Sequence, residues 1–247
     1  MTSTSESAFA QRPSDRNAVA VVVGMAWIGI VSGFGTDSYD HIKHSGLDYP
    51  LIVHIHAVVF VAWLVLFTAQ MLLVRASRVD LHKKLGVAGA VLALVMLILG
   101  PVTALSVSAI DYAAEKMPPV FLAVSLTTIT AFAGLTAAAL ALRGTPSAHK
   151  RLMLLGLAYL STPGFARFMD GLVAAHIHLA FAPRFIQLYF FTDCLILAMG
   201  VYDLVVRRRL HPAFIAGALW CFAIEAVALT LLPSPAWRAF SLHLIGH

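Results

Sequence analysis

The side chains best suited to chemistry in this 247-residue chain are imidazoles, and two pairs of them repeat one spacing. His54 and His56 stand in "LIVHIHAVV", His176 and His178 in "AHIHLAF". Imidazole ligates transition metals and titrates near neutral pH, so all four are candidate haem or metal ligands. Geometry limits how they can act together. Residues two apart point about 200° apart on a helix, so only one of His54 and His56 faces the interior of a helical segment. In an extended loop, by contrast, His176 and His178 share a face. One or two imidazoles joined by a carboxylate make an easier site than four histidines.

The carboxylates and an arginine are at hand. "STPGFARFMD" carries Arg167 and Asp170, three apart and hence on one helix face. Asp193 lies in "QLYFFTDC" and Glu225 in "CFAIEAV". Such groups cost about 2.5–3.5 kcal/mol each inside a membrane span and so face partners or a wet cavity. Counting along helices places Asp193 ~12 Å, Glu225 ~10 Å, Arg167 ~10 Å and Asp170 ~6 Å below one membrane face. The expected roles are proton transfer or further ligation for Asp170, Asp193 and Glu225, and anion or haem-propionate binding for Arg167. The competing reading is an ion-paired interior that fixes helix registry, with Arg167 satisfying Asp170 and Asp193. The opposite half of the spans offers little comparable beyond Gln70 and the boundary residue Asp203.

The elements that must position these groups are membrane helices. The chain is 60% hydrophobic and only 12% charged, against about a quarter charged in soluble domains. Seven stretches, near 18–35, 51–74, 86–110, 119–142, 153–174, 185–206 and 213–232, are long enough to cross a ~30 Å hydrocarbon core. Lipid leaves them no option but helix, because strands would expose unpaired backbone groups. Pro, Gly or basic clusters separate them, and Pro163 with Gly164 should kink or unwind the fifth. The predicted fold is therefore all-α: a polytopic membrane protein, a bundle of seven transmembrane helices. A polar tail over 1–17 precedes the seven-helix domain over 18–232, and a short segment over 233–247 follows. The tail does not resemble a cleavable leader, so the first span is expected to remain as an anchor.

Charge sets the orientation. Arg12 and Arg16, then Arg75 to Lys84, Arg143 to Arg151, and Arg207 to Arg209 all fall at one end of the spans. The positive-inside rule puts that end and the N-terminus in the cytoplasm and the C-terminus outside. The same clustering explains the net charge of +5 without nucleic acid as a partner. His82, His149 and His211 lie among these basic groups, where a headgroup-level structural role is expected. Near the other face, "HIKH" (41–44) and "HLIGH" (243–247) have chelating spacings but read as solvated patches. Cys194 and Cys221, inside apolar segments, read as packing residues.

"HIH" before the second span, "LHKKLG" before the third, "HKRLM" before the fifth and "RRRLHPA" before the seventh resemble a group of bacterial seven-span membrane proteins of uncharacterised activity. That resemblance implies the topology and a bacterial plasma-membrane location, and it implies no chemistry. The two histidine layers are loosely similar to cytochrome b561-like proteins, which hold haem between histidines on facing helices. "HLIGH" resembles the last-helix histidine pair of seven-span zinc hydrolases related to alkaline ceramidases. The leading expectation is redox or other metal-supported chemistry at an outward-opening site, with haem b or a transition metal ion bound. Membrane lipid and a membrane or periplasmic redox partner would accompany it. The alternatives are a proton-coupled small-molecule transporter built on the Pro-Gly break and a structural or assembly subunit.

Overall fold

A computed structural model of the chain describes residues 13–176 and 184–247, with side chains over 14–44, 46–169 and 187–247. The described residues contain helices and no strand: α1 (Pro13–Ser45), α2 (Leu51–Arg75), α3 (Val79–Ala113), α4 (Leu122–Ala141), α5 (Pro146–Leu160), α6 (Thr162–His176), α7 (Arg184–Arg207), α8 (Pro212–Leu231) and α9 (Pro235–Leu244). Among the described residues, seven helical segments are long and apolar enough to cross a membrane, α5 and the start of α6 counting as one. The protein is an all-helical, multi-pass membrane protein.

Proline sets several boundaries. Pro13, Pro146, Pro212 and Pro235 are each the first residue of a helix, where the missing N–H is not needed and φ is already helical. α1 therefore begins at Pro13 and takes in most of what reads in sequence as the end of a polar tail. Past the last span, α9 is capped by Ser234, whose Oγ accepts from Trp237 N–H at 3.3 Å.

The fifth span breaks where expected, but neatly. α5 ends at Leu160, Ser161 is its cap, and Pro163 falls on the second residue of α6. Gly164 and Phe165 N–H both donate to Ser161 O, and Ser161 Oγ donates to Ala158 O at 2.6 Å. The joint closes its own backbone bonds, so it is a bend and not an unwound segment.

The chain forms two compact units. The first combines Met1–Gly46 with Ala131–Ala223, the second Leu47–Thr130 with Ile224–His247. In the first unit α6 packs against α1 and α7, and α5 also meets α1 and α7. Its core includes Phe132, Leu155, Tyr159, Tyr189 and Ile196, all essentially inaccessible. Glycine allows the tightest approach: a Cβ on Gly33 would collide with the Gly164 carbonyl, and one on Gly164 would meet Gly29 O at 2.5 Å. Small residues draw helices together in this way where lipid gives no hydrophobic drive for association. In the second unit α2 and α3 pack along each other. There the Trp237 indole of α9 donates to Val120 O at 2.9 Å, tying α9 to the short 3-10 turn Pro119–Phe121.

Candidate functional site

The residues singled out for chemistry divide between the units. His54 and His56 belong to the second. His54 is exposed, its Nδ1 3.3 Å from Pro50 O and its ring edge-on to Tyr49. His56 is half-buried and stacks on Phe60 with ring centroids 3.9 Å apart. Their differing environments agree with the divergence expected of an i,i+2 pair. Glu225, also in the second unit, is 2% exposed. Asp193 is buried in the first unit, next to Thr192, whose hydroxyl shares a 2.9 Å hydrogen bond with Thr162. His178 and the side chains of Asp170 and His176 lie outside the described residues. Among the described residues, no three His, Cys, Asp or Glu side chains lie close enough to share a metal ion.

Arg167 has a partner that sequence reading did not name. Its Nε is 3.5 Å from Asp37 Oδ2, its Nη1 donates to Pro163 O at 3.1 Å, and its guanidinium lies 4.3 Å from the centre of the Phe34 ring. The two side chains are 45% and 60% exposed. Exposed pairs contribute at most about 1 kcal/mol, so this contact orients α6 on α1 more than it stabilises the unit.

Among the described residues the densest charged cluster is at the opposite end, and this corrects the expectation that the basic half holds little. Four helix ends of the first unit meet there. Starting α1 at Pro13 places Asp15 in its first turn; starting α5 at Pro146 places Ser147, Lys150 and Arg151 in its first two turns. α7 contributes Tyr202, Asp203 and Arg207 from its last turns, and His211 precedes α8. Arg207 Nη2 donates to both oxygens of Asp15, at 2.7 and 2.6 Å, and Lys150 Nζ to Asp15 Oδ2 at 2.8 Å. Arg151 grips Asp203 through Nε at 2.6 Å and Nη2 at 2.7 Å, while Arg207 Nη1 reaches Asp203 Oδ1 at 3.2 Å. The Tyr202 hydroxyl lies 2.8 Å from Asp15 Oδ1 and 2.9 Å from Ser14 Oγ. A carboxylate only accepts, so Tyr202 gives its proton to Asp15 and accepts from Ser14.

Burial makes this network obligatory. Asp15 is 1% exposed, and Asp203, Arg151 and Arg207 are buried as well. Charges withdrawn from water persist only when paired and hydrogen-bonded. His211 completes the end: Ala213 N–H donates to its Nδ1 at 3.0 Å, leaving Nε2–H to donate to Ser147 Oγ at 3.1 Å. His149 Nδ1 sits 2.8 Å from Ala139 O. His211 and His149 therefore fasten helix ends together.

Beside the cluster runs a groove of about 380 Å³, formed within the first unit. Its polar end is Ser14, Asp15, Lys150, Arg151, Tyr202, Asp203 and Arg207; its wall is apolar, including Val19, Val22, Leu154, Leu195, Met199 and Phe214. A charged floor joined to a hydrocarbon-like wall suits an amphiphile. Two sequence signals, neither of them used in reading the sequence, lead here: Asp203 and Arg207 at i,i+4 in "YDLVVR", and Pro146, which brings Lys150 and Arg151 to a helix start. Asp15 itself is hidden from sequence reading, because its neighbours Ser14, Arg16 and Asn17 make it look like tail. Comparison of the chain with family models, curated proteins and solved structures returned no match.

Proposed function

We propose that this membrane protein binds an amphiphilic molecule in the groove of its first unit and presents or moves it near one face of the bilayer. The observation that carries the proposal is the groove's composition, with a five-charge network, four of its members buried, at one end and an apolar wall leading from it. Binding sites need a few placed polar groups and a larger apolar surface, and the groove has both on one face. The clustering of Lys and Arg favours a cytoplasmic position for this end, and the ligand's head would then sit at the cytoplasmic headgroup level. This reading is closest to the transporter alternative, with the working groups moved from the Pro-Gly bend to the charged helix ends.

The test is photolabelling of the full chain, reconstituted in phosphatidylcholine, with a fatty acid carrying a diazirine in its alkyl chain. Peptide mapping is expected to recover adducts concentrated between residues 14–22 and 195–199. Adducts spread over the exposed apolar faces of α2 and α3 in proportion to their area, with no enrichment in the groove, would overturn the proposal.

A further inference from the structure

We infer that the groove selects amphiphiles with an anionic head, a phosphate or a carboxylate, and that Lys150 is the residue that meets that head. This inference rests on the proposed function and names the ligand's chemical class. It follows from counting which hydrogen-bonding positions remain.

The two carboxylates are spoken for. A carboxylate offers about four acceptor positions. Asp15 receives two bonds from Arg207, one from Lys150 and one from Tyr202. Asp203 receives two from Arg151 and one from Arg207. A cationic head arriving in the groove would therefore find little acceptor capacity and would stand beside three cations. The lining carries Lys150, Arg151 and Arg207 against Asp15 and Asp203, one positive charge in excess.

Access then singles out one cation. The side chains of Arg207 and Arg151 are 0% and 5% exposed, whereas Lys150 is 24% exposed. An ammonium has three donors, and Asp15 is the acceptor bound to Lys150 Nζ in this network. Lys150 thus combines exposure, charge and donor capacity at the mouth of an apolar wall. Basic pockets between membrane helices on the cytoplasmic side suit anionic lipid heads for the same reason. A zwitterionic head would bring its own cation up to Lys150 and lose part of the gain.

The test uses displacement of the diazirine fatty acid from the wild-type protein by amphiphiles of one chain length. An alkyl phosphate and a fatty carboxylate are expected to compete at least about ten-fold better than an alkyl phosphocholine or an alkyl trimethylammonium, the worth of one charge-assisted hydrogen bond. Lys150→Gln should erase that preference and Lys150→Arg should keep it. Labelling retained in the groove shows that Lys150→Gln folds, and Ala18→Trp, a change at an apolar residue that also lines the groove, should abolish labelling. Phosphatidylglycerol in the bilayer should compete and inorganic phosphate should not. Equal competition by all four heads, with adducts still in the groove, would sink the anion preference and leave the proposed function standing. Full competition by inorganic phosphate would mean a soluble anion site and would overturn the inference. No adducts in the groove would overturn both.

Discussion

Replacing Asp203 with alanine is expected to lower the unfolding free energy by about 3–5 kcal/mol, the cost of breaking a buried ion pair from one side. The reason lies in how the two carboxylates share three cations. Arg207 bridges Asp15 and Asp203 and retains Asp15 in the variant. Arg151 loses both of its carboxylate bonds and keeps the 2.9 Å bond to Ser147 O. Its charge stays buried after losing the two-pronged grip on Asp203, and that is what costs. Pairing the change with Arg151→Met, as Asp203→Leu/Arg151→Met, should restore most of the loss, since removing both charges avoids the desolvation penalty. The coupling between the two sites, read from a double-mutant cycle by SDS unfolding of detergent-purified protein, should exceed 1 kcal/mol in magnitude, as expected for residues in contact. A Asp203→Ala protein as stable as wild type would mean that the network is not formed.

The second large effect comes from three methylene-sized changes with opposite signs. Gly164→Ala should destabilise by about 1–3 kcal/mol or more, the range for overpacking. Its new Cβ would meet the backbone of Gly29 and Ile30, which cannot rotate away as a side chain could. Gly33→Ala should behave likewise, because the obstacle is the Gly164 carbonyl. Gly24→Ala, on the same helix with open space around the added Cβ, should instead stabilise by about 0.5–1 kcal/mol through helix propensity. Thermal unfolding of the three variants side by side checks the contrast. Identical shifts for Gly24 and Gly164 would contradict the close crossing of α1 and α6.

Much of the architecture was legible because lipid allows so few solutions. Uninterrupted apolar runs such as 86–110 had to be helices, and the bend at Ser161 followed from Pro163. The helix starts were less legible. Proline reads equally as a break or as a first residue, and the structure uses Pro13 and Pro146 in the second way, drawing Asp15 and Lys150 inside. Arg167, Asp193 and Glu225 each fall within an apolar helix long enough to span, but counting along a helix could not tell a side chain's direction. Arg167 turned to Asp37, an exposed residue 130 positions away in sequence whose reach along α1 no periodicity discloses. Glu225 and the His54–His56 triplet belong to one unit and Asp193 to the other, a division that composition does not mark. The buried network escaped notice for a related reason. Its members lie in the basic clusters, where charge is expected at the membrane surface and draws no attention.

A density map of the protein in nanodiscs containing phosphatidylglycerol is the most direct measurement. The account predicts elongated density along the apolar wall beside Val22 and Met199, ending in a head ~3 Å from the Lys150 ammonium. A groove occupied by the chain itself, with bound lipid only around the outer faces of the helices, would contradict it.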